Sequence, residues 1–377
     1  MSPRQLGFML LVSTFFTGVC SGYTDKEKDD LKKICGRRGV QDTVSERISN
    51  GTEAAPGSWP WMVGLYTAQD RFFCGGVLIS REFVLTAAHC YSDKNTTGFP
   101  SVRLGSTKKT NYTVHCQRNK GKNDHLEGVH DDREDQVICM EVDYVCVPHQ
   151  DNCTFFFKDL ALLKLKEPVN FTRYIRPICL PQHCEEPPSD ASIYGAGWGM
   201  TYDYLPVSDE MDESLNEPDE DLKDFVDYES SAEKTKDASP RKRKGIFLPC
   251  FPENLRERNI SLITNEQCER QLRQFTTTVL KHVICSEEGM CKGDSGGPFM
   301  YEKEGQWFLA ATHSANSACY SPSPPSHHIR VSHFIQSFIL PVMQDSESTK
   351  HNFCMTDEAR KECVTTSYKT YNMRFNR

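Results

Sequence analysis

Three short segments, far apart in the chain, carry the residue types that nucleophilic catalysis combines. Residues 86–90 read Thr-Ala-Ala-His-Cys, Asp159 opens an apolar run, and residues 293–298 read Gly-Asp-Ser-Gly-Gly-Pro. A serine hydroxyl is a poor nucleophile until a histidine takes its proton, and that histidine needs a buried carboxylate to fix its tautomer. A fold that uses this chemistry must bring His89, Asp159 and Ser295 together.

Each segment alone is a weak signal, because a glycine-rich string can be a turn and a lone histidine more often belongs to a core. The conjunction is specific, since residues 176–181 (Arg-Pro-Ile-Cys-Leu-Pro) and 197–199 (Gly-Trp-Gly) also follow Asp159 in order. With this order and these flanks, the chain resembles the trypsin and chymotrypsin family of serine proteases over roughly residues 48–343. The resemblance implies an all-β fold of two packed six-stranded antiparallel barrels with a C-terminal helix.

The resemblance also assigns the roles. Ser295 would be the nucleophile, His89 the general base and then acid, and Asp159 the group that orients His89, while the amides of Gly293 and Ser295 would hold the oxyanion. The implied activity is a serine endopeptidase that needs no cofactor or metal and acts on protein or peptide substrates. A rival interpretation is a non-catalytic secreted binding protein on a protease scaffold.

Cysteine usage and the N-terminus indicate the secretory pathway. Residues 1–22 combine Arg4, a short apolar stretch and small residues, as in a signal peptide, and no apolar run is long enough to span a bilayer. Removing Cys20 from the seventeen cysteines leaves an even sixteen, which favours a disulfide framework in an oxidising, extracellular location. The cysteine spacings are too wide for a metal site, and no basic face suggests nucleic acid.

Six Asn-x-Ser/Thr sequons agree with secretion and predict several glycans. They begin at Asn50, Asn95, Asn111, Asn152, Asn170 and Asn259.

A propeptide is predicted over residues 23–47, followed by the protease domain over residues 48–343 and a tail over residues 344–377. In the family, cleavage after a basic residue at the position of Arg47 frees an apolar N-terminus, here Ile48. Its ammonium would pair with Asp294 and order the oxyanion turn, because an unpaired buried charge costs several kcal/mol. A trypsin-like activating protease is therefore an expected partner, and serpins or other protease inhibitors are further candidates.

The resemblance implies four disulfides, one of which would tie the propeptide to the catalytic domain. The pairs are Cys35–Cys179, Cys74–Cys90, Cys268–Cys285 and Cys291–Cys319. The pairing of eight further cysteines stays open, a Cys184–Cys250 bridge being one suggestion. They are Cys116, Cys139, Cys146, Cys153, Cys184, Cys250, Cys354 and Cys363.

The expected specificity pocket lacks the acid that would bind a basic side chain. Its base falls on Gly289 and Met290, where relatives that cut after Lys or Arg carry an aspartate. A substrate guanidinium would enter uncompensated, so a small or medium apolar residue is the predicted preference. The alignment places Thr312, His313, Ser314 and Ser326 in the pocket walls.

Two insertions and a terminal helix complete the prediction. Residues 105–157 contain cysteines and sequons, and could form an exosite or lid, or be a tolerated surface insertion. Residues 202–244 are acidic and end in Arg-Lys-Arg-Lys, which suggests a proteolysis site, a binding or tethering segment, or a solvated spacer. Residues 331–340 read as the amphipathic C-terminal helix of the fold, and cysteines are expected to pin the tail.

Overall fold

The computed structural model describes residues 25–39, 51–91, 101–109, 137–148, 158–206, 245–272, 279–287, 291–315, 325–344 and 347–355. More of these residues lie in strands than in helices. The strands are β1 Thr52–Glu53, β2 Met62–Tyr66, β3 Phe72–Leu78, β4 Phe83–Thr86, β5 Ser101–Leu104, β6 Ile138–Cys146, β7 Ala161–Leu165, β8 Ile193–Gly197, β9 Thr201–Pro206, β10 Gly245–Cys250, β11 Arg256–Ile260, β12 Leu262–Ile263, β13 Val283–Ser286, β14 Pro298–Lys303, β15 Gln306–Ala315, β16 Ser326–Arg330 and β17 Cys354–Met355.

Strands β2 to β7 form a closed antiparallel barrel. Its order is β6-β5-β2-β3-β4-β7, and β7 pairs back with β6, for example Leu163 with Val145. Every residue of β2 and β4 is buried, which fits short apolar strands covered on both faces. The apolar runs 59–65, 72–80 and 81–86 have the character expected of strands in the first barrel, and they correspond to β2, β3 and β4.

The second sheet curves into a half-barrel with the order β1-β11-β8-β14-β15-β16-β13-β12. Only Ser261 separates β11 from β12, so these two strands of the curved sheet are consecutive in the chain. Its own core contains Phe299, Tyr301 and Ile284, whereas the core of the first barrel extends across the junction to Trp198 and Met300. The all-β double-barrel prediction is confirmed in this form.

Few helices accompany the sheets. They are α1 Asp25–Ile34, a 3₁₀ turn Ala88–Tyr91, α2 Asn265–Leu272, a continuous helical segment made of the 3₁₀ turn Val331–Phe334, the π turn Ile335–Ile339 and α3 Leu340–Met343, and α4 Glu347–Phe353. The segment beginning at Val331 is the expected C-terminal helix, and it buries Phe334 and Phe338 against the first barrel. Within the described ranges, no helix has the length and apolarity to cross a membrane.

The structure corrects the extent of both insertions. Residues 105–157, expected as one insertion, contain β6, which is the strand that closes the first barrel. The insertion predicted to begin at Tyr202 starts inside β9, which pairs with β10 as a two-stranded ribbon from Thr201–Cys250 to Pro206–Gly245. Residues 207–244 between these strands lie outside the described residues.

The tail is tied to the first barrel. Cys146 of β6 and Cys354 of β17 form a disulfide, and the backbone of β17 extends the sheet as a further strand. Val147 N–H also donates to Phe353 O at 2.9 Å, and Met355 is buried. The tail is therefore part of the folded unit up to Met355.

Candidate active site

Strand pairing in the first barrel brings His89 and Asp159 together. Thr86 at the end of β4 pairs with Ala161 at the start of β7, so the residues just beyond these two ends are neighbours. Asp159 Oδ2 lies 2.7 Å from His89 Nδ1, and Oδ1 accepts a hydrogen bond from His89 N–H at 2.8 Å. Both oxygens of one carboxylate thus fix the position of the imidazole.

Asp159 is 2 % exposed and has a third hydrogen-bond donor, the hydroxyl of Ser314, directed at Oδ2. Burial works against protonation of His89, but the negative charge of Asp159 and the hydrogen bond that it accepts from His89 outweigh burial and raise the pKa of His89. The carboxylate therefore favours the imidazolium that a general base must become.

Ser295 lies in a glycine turn that packs against the segment carrying His89. Gly75 N–H donates to Ser295 O at 2.8 Å. Gly296 has φ +77, and a Cβ there would lie 2.1 Å from the Thr86 hydroxyl, so the turn requires glycine at this position. The close packing of the glycine turn against β3 and β4 places Ser295 at the junction of the two sheets.

The backbone amides around Ser295 divide into two groups. Gly296 N–H donates to His313 O at 2.8 Å and Gly297 N–H to Asp294 O at 2.9 Å. In the described part of the chain, the N–H groups of Gly293 and Ser295 have no protein acceptor. These are the two amides predicted to form the oxyanion hole, and both remain available to a ligand oxygen.

Asp294 is buried beside Ser295 and is held by backbone amides. Its Oδ1 accepts from Gly199 N–H at 2.7 Å and its Oδ2 from Cys291 N–H at 2.8 Å. Burial raises the pKa of Asp294 to about 6, against the opposing effects of the two amides and of the nearby cations Lys109 and Arg258. A Cβ on Gly197 or Gly199 would come within 2.3 Å of this carboxylate, so both glycines make room for it.

Three of the residues predicted for the pocket walls are buried. Thr312 and Ser326 are 0 % exposed and His313 is 1 % exposed, so none of them lines an open cleft. Ser314 contacts Asp159 rather than a substrate pocket. The sequence analysis placed Ser314 in a pocket wall, and its hydroxyl contact shows that it has a different role. Gly289 and Met290, the expected pocket base, lie outside the described residues.

A buried histidine pair lies behind the site. His313 Nδ1 and His328 Nδ1 are 3.1 Å apart, and His328 Nε2 is 2.8 Å from the Ser286 hydroxyl. Burial, followed by repulsion from His89, lowers the pKa of His313 to about 3, and burial lowers that of His328 strongly as well. Both histidines are therefore neutral at ordinary pH. This pair is not predictable from the local sequence, because the two residues meet only through the pairing of β15 with β16.

Three of the four expected disulfides are present in the structure, namely Cys35–Cys179, Cys74–Cys90 and Cys268–Cys285. Cys291 lies in the glycine turn, and its expected partner Cys319 is outside the described residues, as are Cys116, Cys153 and Cys363. Cys139 is disulfide-bonded as well. Cys184 is an exposed thiol, so the suggested Cys184–Cys250 bridge is not formed.

Among the described residues, two groups of side chains lie as close together as metal ligands do, Cys74 with His89 and Cys90, and Cys268 with Cys285 and His327. In both groups the two sulfurs are bonded to each other, which removes the thiolates that a metal would bind.

Two of the six sequon asparagines are in the described residues, and both Asn170 and Asn259 are exposed, as a glycan requires. Asn50, Asn95, Asn111 and Asn152 are outside them, and so are Arg47 and Ile48 of the predicted activation site.

A comparison with protein-family models agrees with the geometry. The family model described as Trypsin matches residues 48–214 and 238–338, which is more than half of the chain and contains His89, Asp159 and Ser295. The match covers the closed barrel, the half-barrel and most of the C-terminal helical segment. The chain therefore belongs to the trypsin family of serine proteases.

Proposed function

We propose that the chain is a secreted serine endopeptidase, made as a zymogen, that hydrolyses peptide bonds with the triad His89, Asp159 and Ser295. The observation that carries the proposal is the double hydrogen bond from His89 to the buried Asp159, beside a glycine turn with two available amides. This arrangement supports a base, an orienting acid and an oxyanion site around one serine.

In the proposed reaction, His89 takes the proton of the Ser295 hydroxyl as the serine oxygen attacks the scissile carbonyl carbon. The amides of Gly293 and Ser295 hold the resulting oxyanion, and His89 then gives its proton to the leaving amine. Water, activated by the same imidazole, hydrolyses the acyl-enzyme and regenerates the hydroxyl. Asp159 holds the imidazole in its orientation and stabilises the imidazolium.

The zymogen part of the proposal concerns Arg47, Ile48 and Asp294. Cleavage after Arg47 would free the ammonium of Ile48, and Asp294 is a buried carboxylate whose pKa is raised, so a cationic partner would be favourable. The disulfide Cys35–Cys179 would keep the cleaved propeptide attached. The signal-like N-terminus, the disulfides and the exposed sequons support secretion.

The proposed specificity is for a small or medium apolar residue before the scissile bond. It rests on the absence of an acidic residue at Gly289 and Met290. A chain that disfavours Arg would not process its own Arg47, so a separate trypsin-like activator is part of the proposal.

The test uses a Ser-reactive fluorophosphonate probe and a diverse peptide library on the secreted protein after limited cleavage at Arg47. The expected results are labelling of the chain and cleavage after small apolar residues, both absent in Ser295→Ala. A protein with a free Ile48 terminus that neither labels nor cleaves would be a binding protein on a protease scaffold. Peptide cleavage that persists in Ser295→Ala would overturn the site assignment.

A further inference from the structure

The predicted propeptide is packed on the catalytic domain by more than its disulfide. Gly36 N–H donates to Pro177 O at 2.8 Å, and Trp307 N–H donates to Gly36 O at 2.9 Å. The Gln306 side chain donates to two further carbonyls of the segment, those of Lys32 and Cys35, both at 3.0 Å. Residues 25–39 are therefore a docked element rather than a linker.

Arg38, at the end of this element, lies between two tryptophans of the catalytic domain. Its guanidinium carbon is 4.0 Å from the ring centroid of Trp59 and 4.3 Å from that of Trp307. The two rings pack edge to face at 4.7 Å and are nearly buried. Tyr194 contacts both tryptophans, with centroid distances of 6.0 and 5.6 Å, and completes an aromatic group. A cation against such faces is attracted by the ring quadrupoles, most strongly where water is excluded.

The carboxylate of Glu257 supplies a negative charge that matches the positive charge of Arg38. Glu257, on β11, accepts a hydrogen bond from the indole N–H of Trp59 and lies close enough to Arg38 to interact with its charge. Burial raises the pKa of Glu257, while the Trp59 hydrogen bond and Arg38 act in the opposite direction. Aromatic faces, an indole donor and a carboxylate together form a site for a planar cation.

Strand β11, which carries Glu257, also anchors the chain downstream of the predicted activation site. Thr52 of β1 pairs with Glu257, and the Arg256 side chain donates to Gly51 O at 2.8 Å. Upstream, Gly39 N–H donates to Gly57 O at 3.1 Å. Residues 40–50 contain Arg47 and Ile48. The chain is anchored before this segment by Arg38 and after it by Thr52, and both of these residues interact with Glu257.

We propose that Trp59, Trp307 and Glu257 form a guanidinium-binding cage for Arg38, and that this cage is a noncovalent anchor of the propeptide. The cage works independently of Cys35–Cys179 and keeps the upstream end of the activation segment in place. Cleavage after Arg47 rests on the proposed function. Because the chain is anchored on both sides of the cut, cleavage would leave residues 25–39 bound to the catalytic domain.

The first experiment removes the covalent anchor. In a Cys35→Ser/Cys179→Ser chain, residues 43–47 are replaced by an enteropeptidase recognition sequence, the chain is cut, and peptide loss is followed by native mass spectrometry. Arg38→Gln should release the peptide about tenfold faster or more, as expected for a lost desolvated cation–π contact. Arg37→Gln is the matched control, because Arg37 is exposed and, among the described residues, its side chain donates to the carbonyl of Lys33 in the same segment. Equal release rates in the two variants would overturn the cage.

A second measurement uses the uncleaved chain with all cysteines intact. Hydrogen exchange at Gly39 N–H should become about tenfold faster in Arg38→Gln and stay unchanged in Arg37→Gln. An unchanged rate in Arg38→Gln would contradict the proposal even if the cysteine variant does not fold. Neither readout needs protease activity or a cut at Arg47, so failure of the proposed function and failure of the cage are distinguishable.

Discussion

Ser314 donates its hydroxyl hydrogen to Oδ2 of Asp159. The same oxygen contacts Nδ1 of His89, so one buried atom joins Ser314 to His89. Ser314 comes from β15 of the half-barrel, whereas His89 and Asp159 belong to the first barrel. The hydrogen bond therefore ties the two sheets together at the site.

Ser314→Ala should lower kcat/KM about 10-fold. A hydrogen bond to a buried charge contributes on the order of 1.5–3 kcal/mol, and only a part of this free energy stabilises the transition state. Ser314→Thr, which keeps the hydroxyl, is the control and should retain most of the activity. Steady-state kinetics on active-site-titrated enzyme measure the effect. Equal activity in Ser314→Ala and wild type would show that Asp159 needs only its contacts with His89.

The pH dependence of catalysis should follow His89. Because Asp159 raises the pKa of His89, activity falls on the acid side as the imidazole becomes protonated, at a pH above the ordinary value for histidine. Asp159→Asn removes the stabilising negative charge, so the acid limb of kcat/KM should move to lower pH. The rate itself should fall by about 10⁴-fold, since the tautomer is no longer fixed.

A pH–rate profile of wild type and Asp159→Asn, with a neutral substrate, tests this directly. An acid limb that stays at the same pH in both proteins would mean that a group other than His89 controls it.

Local motifs were sufficient to predict that His89 and Asp159 lie together, because these residues are chemically constrained. The segments around His89, Asp159 and Ser295 define the chemistry, and Gly296 is required by a left-handed turn that presses against Thr86. The bridge from Cys35 to Cys179 followed from the same resemblance. The strands β2 to β4 were predictable because their apolar runs are buried on both faces.

Features that depend on long-range register were not predictable. The role of Ser314 depends on where β15 ends relative to Asp159, and the alignment had displaced it into a pocket wall. Strand β6 lies between polar and cysteine-containing stretches, so its place in the barrel is visible only through its pairing with β5 and β7. The bridge from Cys146 to Cys354 spans most of the domain, and sequence cannot choose among the possible pairings.

Gly199→Ala should abolish activity, because the new Cβ would lie 2.3 Å from both Cγ and Oδ2 of Asp294 and displace the carboxylate next to Ser295. The expected loss is at least about 100-fold in kcat, comparable to losing an oxyanion donor. Gly305→Ala is the control, since its Cβ would meet nothing within 4 Å. Its positive φ should cost about 1 kcal/mol of stability and leave kcat unchanged. Normal turnover in Gly199→Ala would show that the oxyanion turn does not depend on the position of the Asp294 carboxylate.

Cys354→Ser/Cys146→Ser should loosen the tail without affecting catalysis. The bridge to Cys146 closes a loop of more than half the chain, so its loss should cost about 2–5 kcal/mol. The measurement is thermal unfolding of Cys354→Ser/Cys146→Ser beside wild type, with kcat as the second readout. A double variant as stable as wild type would show that β17 and Met355 hold the tail unaided.

Asp294 should make the uncleaved chain less stable as the pH rises. Its pKa is raised from 3.8 to about 6 by burial, so the folded state holds a proton that the unfolded state has already lost. The contribution of Asp294 to the free energy of unfolding is therefore largest below pH 3.8, declines between pH 3.8 and about 6, and is constant above that. The full change corresponds to about 3 kcal/mol.

Denaturant unfolding of the uncleaved chain between pH 4 and 7 tests this sign, in a Ser295→Ala background that prevents self-digestion. Asp294→Asn cannot ionise, and its altered amide contacts add an offset that does not depend on pH. The stability of Asp294→Asn relative to the parent should therefore rise with pH up to about 6 and then stay constant. A difference that is flat across this range would mean that Lys109 and Arg258 already neutralise the carboxylate before Arg47 is cleaved.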